Sequence, residues 1–138
     1  MTTDLPSPGP GNPPLSGYYS IFIHPGKPVD ALISDIGQAA GTILHPVEGE
    51  FIDYAGKLER GAVEVELSHE YEEDRGILFE RYDSLFTIRD FDRDRERQGG
   101  TARQIFRNLA ALDRYWLVLV YDLQTLINSA SPSSAQTA

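Results

Sequence analysis

Arg114-Tyr115-Trp116-Leu117-Val118-Leu119-Val120-Tyr121-Asp122 is the stretch on which the fold turns. Seven consecutive apolar or aromatic residues lie there between charged ends. The run is too short to span a membrane and too rich in β-branched and aromatic residues to favour a helix. Side chains of a strand alternate between its two faces, so a run without a polar member must be covered on both. The stretch therefore reads as a central strand of a helix-backed sheet.

The residues on either side extend this reading. Upstream, Ile105, Leu109 and Leu112 form one helical row that Phe106 and Ala110 widen. Thr101-Ala102-Arg103-Gln104 has the form of a capping box, which places the start of this helix near Thr101. Asp90 to Gly100 reads as a charged loop. Before it, Ser84 to Arg89 reads as a strand, entered from the turn Glu72–Gly76 through Ile77-Leu78-Phe79-Glu80. Ala62 to Ser68 alternates cleanly: Val63, Val65 and Leu67 share one face, and Glu64, Glu66 and Ser68 the other. Gly56 to Gly61 is expected to turn, and Phe51 to Tyr54 to form a short strand.

Nearer the N-terminus, Tyr18 to Ile23 is rich in strand formers and is closed by His24-Pro25-Gly26. Pro28 suits the first position of a helix, Asp30 its first turn, and Gly41 its C-terminal stop. Val29, Leu32, Ile33 and Ile36 give that helix an apolar stripe. Thr42 to His45 reads as a second strand ended by Pro46. Beyond the central stretch, Leu123 to Ile127 reads as a last turn or strand extension.

The expected architecture is α+β, with two helices packed on one face of a mostly antiparallel sheet and a ferredoxin-like core enlarged in its middle. Residues 17–128 are expected to form a single domain. Residues 1–16, with five prolines and two glycines among them, should be a disordered arm, and 129–138 a disordered tail.

The 138 residues suffice for one domain with a sizeable core. There is no cysteine, which removes disulfides and thiolate chemistry. No signal-peptide pattern or transmembrane run is present, so the cytoplasm is the expected compartment. A net charge of −9 opposes binding to nucleic acid or to an anionic membrane. The charge is also concentrated: residues 48–80 hold eleven acids against Lys57, Arg60 and Arg75, whereas 81–114 hold eight arginines against six acids.

Catalytic motifs are missing: no Gly-x-Ser-x-Gly, His-Glu-x-x-His, P-loop or Gly-x-Gly-x-x-Gly occurs. His24 and His45 each end an expected strand, so they would approach one another if those strands were neighbours, with His69 or a carboxylate completing a metal site. Their spacing matches no ligand motif, and solvated turn histidines are the plainer reading. Asp90 to Glu96 begins like a calcium loop. However, Arg95 stands where glycine is required and Thr101 where the loop needs Glu, so self-paired charges explain it better. Gly99-Gly100 ahead of a helix could hold an anion beside Arg103, or simply act as a hinge. No enzyme activity, cofactor or metal is expected.

The remaining signal is the acidic segment. Glu64 and Glu66 share a strand face, and Glu70, Glu72, Glu73 and Asp74 carry the charge into the adjoining turn. The bland account is a solvated face that keeps the protein in solution. Against it, like charges on one strand face oppose folding, and a cationic partner would offset them. Tyr54, Tyr71 and Tyr82 are interleaved with the acids. The expected contact set is Glu64, Glu66, Glu70, Glu72, Glu73 and Asp74, with Tyr71 as a buried anchor.

Three segments carry a family resemblance: Val63-Glu64-Val65-Glu66-Leu67-Ser68-His69-Glu70, then Arg81-Tyr82-Asp83, then Ala102-Arg103-Gln104-Ile105-Phe106 continuing to Leu119-Val120-Tyr121-Asp122-Leu123. Together with small size, acidity and the lack of cysteine, they make the chain resemble immunity proteins of bacterial polymorphic-toxin systems over about residues 18–127. The resemblance rests on general pattern, so it assigns no residue a role. It implies a toxin inhibitor whose partner is a cognate protein toxin with an occluded active site; a basic nuclease would suit the acidic face. Two alternatives stand beside it: a small enzyme with a pocket between helices and sheet, and a self-associating regulatory module that forms a homodimer.

Overall fold

The computed structural model describes residues 17–133. The expected arm at 1–16 and the last five residues of the expected tail lie outside that range. The elements run β1 (Tyr19–His24), α1 (Val29–Ala40), β2 (His45–Pro46), β3 (Tyr54–Lys57), β4 (Gly61–Glu66), β5 (Ser84–Asp90), α2 (Arg95–Ala111), β6 (Trp116–Tyr121) and β7 (Thr125–Ala130). A short 3-10 turn occupies Phe79–Arg81. The strands form one seven-stranded sheet in the order β2-β3-β4-β5-β1-β6-β7, and every neighbouring pair is antiparallel. The fold is α+β. No helix of the described residues is long and apolar enough to cross a membrane.

Strand β6 carries Trp116 to Tyr121 of the unbroken apolar run. It lies inside the sheet between β1 and β7, with Leu117, Val118, Leu119 and Val120 all buried. Alternation sends Leu117 and Leu119 into one apolar layer and Val118 and Val120 into the other. The first layer also contains Tyr19, Ile21 and Ile23 of β1, Val63 and Val65 of β4, and Phe86 and Ile88 of β5. Helix α1 packs on this layer through Leu32, Ile36 and Ala39, and α2 through Ala102, Ile105, Phe106 and Leu109. Both helices therefore cover the same face. Asn108 Nδ2 links them by donating to the Ala39 carbonyl at 2.9 Å.

The second layer has no helix. Phe22, Leu85, Val118 and Val120 are covered instead by Ile77 and Phe79, with Tyr82 and Leu123 at the margin. These covering residues come mainly from the connection between β4 and β5, which crosses the face as an irregular arm. At its tip Asp74 and Ile77 form an isolated bridge, and Arg75 and Gly76 turn with positive φ of 54° and 83°.

Helix α1 forms where its stripe places it. Gly41 closes it at φ 73°, with the Thr42 amide donating to the Gly37 carbonyl at 2.9 Å, the Schellman arrangement. Several other expectations are corrected. The second strand is only His45–Pro46; Thr42 to Leu44 cross from α1 to the sheet edge without pairing. Strand β3 starts at Tyr54 rather than Phe51, and it pairs Gly56 with Val63 where a turn was expected. Ile77 to Glu80 leads towards β5 through the isolated bridge at Ile77 and the 3-10 turn. The β6–β7 hairpin turns through Asp122 and Leu123, both at positive φ (58° and 60°), with the Gln124 amide donating to Tyr121. Glycine or asparagine usually marks such a turn, so β7 had no strong local signal.

Helix α2 begins six residues before Thr101. Asp94 is its cap, accepting from the Arg97 amide at 3.0 Å. Gly99 and Gly100 thus lie within the helix, not ahead of it, and neither a hinge nor an anion site forms there. Gly99 serves close packing: a Cβ there would meet the Tyr19 hydroxyl oxygen at 2.9 Å. The gain of α2's first turn is organised from β5. The buried Asp90 carboxylate accepts from Arg97 Nε at 2.7 Å and Arg97 Nη2 at 3.0 Å, and also from the Asp94 amide at 2.8 Å and the Asp92 amide at 3.1 Å. The calcium-loop pattern is therefore a self-satisfied carboxylate cluster, as the self-pairing account expected.

Hydrogen bonding from Arg97, first of all, pulls the Asp90 pKa from its ordinary carboxylate value down to about 2. A depressed folded-state pKa stabilises the fold above the unfolded value and loses that contribution as pH falls towards 2. Asp90→Asn is expected to lower Tm at pH 7, with the difference from the unsubstituted protein shrinking through pH 4 to 2. A Tm difference that stays constant over that range in thermal melts would refute the assignment.

Candidate functional site

Strand β4 turns Val63 and Val65 towards the helices, so Glu64 and Glu66 face the side that the arm crosses. The two glutamates have different surroundings. Glu64 Oε2 accepts from Arg89 Nη1 at 3.0 Å, and Arg89 in turn lies 5.4 Å from the centroid of the Tyr18 ring. Its charge is compensated by a cation from the second half of the chain. Glu66 is half-buried and has no cationic partner among the described residues. Burial, then the nearby Asp53 and Glu64 carboxylates, raise its pKa above the ordinary value.

The arm brings three more of the expected residues to this side. Glu70, Tyr71 and Glu72 border an open cleft of about 510 Å³, with His69, Glu80, Tyr82 and Asp83 completing its lining. The only basic side chain at this lining is the histidine. Glu70, Glu72 and Glu80 pair with no cation among the described residues. Asp83 accepts from the Gly26 amide at 2.8 Å and bonds His24 Nδ1 at 2.9 Å. The Gly26 amide is the main reason that its pKa lies below the usual carboxylate range.

Glu73 and Asp74 are set apart at the tip of the arm. Glu73 Oε2 accepts from the Gly76 amide at 2.9 Å, and the Asp74 backbone pairs with Ile77. They shape the turn more than they extend the cleft. Tyr71 is partly committed to the protein's own interior: its ring lies 6.0 Å from Phe22, 5.7 Å from His69 and 6.4 Å from Phe79. It remains 37% exposed, which leaves one side of the ring at the cleft rim.

The histidine pairing does not occur. Three strands separate β1 from β2 in the sheet, so His24 and His45 lie far apart. Among the described residues no group of three His, Asp or Glu is placed to hold a metal ion. His69 instead holds the arm. Its Nε2 bonds the Tyr82 carbonyl at 2.6 Å and its Nδ1 bonds the Tyr71 amide at 3.0 Å, while its ring meets Phe22 edge-on at 5.0 Å. Phe22, Phe79, Glu80, Tyr82 and Asp83 were not in the expected contact set. Their meeting depends on an irregular arm without periodicity, so no local sequence signal could have found it.

A second buried polar centre lies on the helix side. Asp35 of α1 accepts from the Tyr115 hydroxyl at 2.6 Å and from Arg114 Nη1 at 2.8 Å. Burial is the first reason that the Tyr115 phenol is pushed far above its ordinary pKa. This centre ties α1 to the start of β6. Several other arginines are engaged elsewhere: Arg97 with the Asp90 cluster, Arg60 with Asp92 at 2.7 Å, and Arg95 and Arg103 over the rings of Tyr121 and Tyr19. Among the cleft carboxylates none is neutralised by these cations. No family model, curated protein or solved structure matches this chain.

Proposed function

We propose that this chain is an acidic inhibitory binding protein of the immunity type, cytoplasmic and non-enzymatic, which docks on a cationic cleft of one cognate toxin. One observation carries the reading. Glu66, Glu70 and Glu72 gather beside a cleft and none of them forms an ion pair among the described residues, although Arg81 stands near Tyr82 on the same arm and other arginines are paired elsewhere. Unpaired carboxylates that crowd together oppose folding, and a guanidinium or ammonium group from a partner relieves that repulsion. The half-exposed Tyr71 ring beside them offers apolar contact area to the same partner. Glu64, already paired, contributes little to the attraction. A nuclease cleft built to hold phosphates has the charge that this surface fits.

Strands β4-β5-β1-β6 with α1 and α2 are arranged as a ferredoxin-like core, to which β2 and β3 add an edge hairpin and β7 a further strand. The chain order β1-α1-β4-β5-α2-β6 and the antiparallel order of those strands support it.

Coexpression with the protein encoded by the neighbouring gene is the test. Expected is relief of the growth arrest which that protein causes, and a complex whose association rate falls at least about tenfold from low to high salt. The triple variant E66Q/E70Q/E72Q is expected to slow association by about tenfold with little change in fold. A neighbouring product that arrests nothing, or an association indifferent to salt, would sink the reading.

A further inference from the structure

His69 makes two hydrogen bonds with backbone groups of fixed polarity. The Tyr82 carbonyl can only accept, so Nε2 must carry the proton and donate to it. The Tyr71 amide can only donate, so Nδ1 must be bare and accept from it. The arrangement thus admits a single state of the ring: neutral, with the proton on Nε2. A second proton has no place except Nδ1, where it would confront the Tyr71 N–H.

These two bonds join the ends of the arm. Tyr71 follows β4, Tyr82 precedes β5, and the ring between them packs against Phe22 of β1. We infer that His69 is a proton-operated latch: neutral, it clasps residues 69–82 across the open sheet face, and protonated, it lets go of Tyr71 and loosens the arm. Loosening uncovers Phe22 and Leu85 and disperses the carboxylates of the cleft. The consequence for partner binding rests on the function proposed above, whereas the latch itself does not.

The groups around His69 pull in both directions. The arm supplies Glu70, Glu72 and Glu80 at the rim, the phenols of Tyr71 and Tyr82, and Arg81, whose charge acts on Tyr82; Asp83, just before β5, holds His24 of β1 and also feels Lys27. From β4, Glu66 lies near enough to Tyr71 to raise its phenol further after burial has done so. Burial holds the His69 pKa below its ordinary value and outweighs the Tyr82 carbonyl and the Asp83 carboxylate, which favour a charged ring. A folded-state pKa below the unfolded one means that the clasp is intact at neutral pH and weakens as pH falls below about 6.5. Between the clasped and free pKa values the open fraction rises about tenfold per pH unit.

Amide hydrogen exchange on the full chain between pH 7.5 and 5, corrected for intrinsic exchange, reads this directly. Tyr71 and Ile77 are expected to lose protection by up to about tenfold per pH unit, while β6 amides stay protected. His69→Gln keeps a donor and an acceptor but cannot titrate, so its exchange should be flat over the same range. His24→Gln should leave the response intact. Ring nitrogen shifts in the unsubstituted protein supply a check that needs no variant: the Nε2–H tautomer at pH 8 and a midpoint below 6.5 that coincides with the Tyr71 amide shift. An Nδ1–H tautomer, a midpoint at or above 6.5, or a pH response abolished by His24→Gln would overturn the latch. No partner is used, so a failed coexpression test leaves this result standing, and a failed latch leaves the binding reading untouched.

Discussion

Phe22→Ala is expected to lower the unfolding free energy by about 3–5 kcal/mol. Phe22 is fully buried in β1, with Leu85 and Val118 directly opposite on the neighbouring strands. Its ring stacks at 4.4 Å on Phe79 and meets the edges of His69 and Tyr71. Removing it forfeits the transfer energy of an aromatic ring and leaves a cavity that the strands, fixed by their ladders on both sides, cannot collapse into. The predicted fall in Tm is on the order of 10–20 °C. The arm should suffer first, because Phe22 is the surface on which Phe79, Tyr71 and His69 all rest. Exchange of the Tyr71 amide should therefore rise more than that of Leu119. A loss below about 1 kcal/mol in denaturant titrations would mean that the second apolar layer is not a packed core.

Gly61→Ala is the second large effect, at about 3 kcal/mol, the upper end of what overpacking costs. Gly61 opens β4 opposite Asp90 of β5. A Cβ there would overlap the Arg89 carbonyl oxygen, and the Arg89 carbonyl carbon would lie only 3.1 Å away. Both belong to the backbone, which cannot swing aside as a side chain can. Relief requires the strands to part just where Asp90 gathers Arg97 and the first turn of α2. Gly100→Ala makes the contrast. That glycine is exposed on α2 with no atom within 4 Å of an added Cβ, so about 0.5–1 kcal/mol of stabilisation is expected. Equal Tm shifts for the two variants would contradict the β4–β5 register described above.

The acidic surface is less uniform than its one-dimensional density suggests. Of the two glutamates that β4 presents together, Glu64 is spoken for by Arg89 and Glu66 is not. Of the six acids in the expected set, Glu70 and Glu72 line the cleft and Glu66 lies beside Tyr71 at its rim. Glu73 and Asp74 are occupied in the turn, and Glu80 and Asp83 join from the far end of the arm. Residues far apart in the chain therefore make one surface because the β4–β5 connection returns across the sheet before β5 begins.

The sequence by itself determined those elements whose burial is periodic and local. The unbroken apolar run required cover on both faces and has it from Leu117 to Val120, whereas Trp116 at the start of β6 is exposed. The alternation of Val63, Val65, Glu64 and Glu66 told inside from outside on β4. The stripe of α1, its end at Gly41 and the strand at Ser84–Asp90 were legible for the same reason: each residue's environment repeats with the period of its own backbone. Tertiary structure decided everything that depends on which segments meet. Asp90 reaching forward to Arg97 set the start of α2, against the local signal of two glycines and a capping box. Two positive-φ residues without glycine set the β6–β7 hairpin. The arm across the open face, the clasp of His69 and the pairing of Glu64 with Arg89 were decided there too, because hydrogen bonds and ion pairs between distant residues leave no period in the chain.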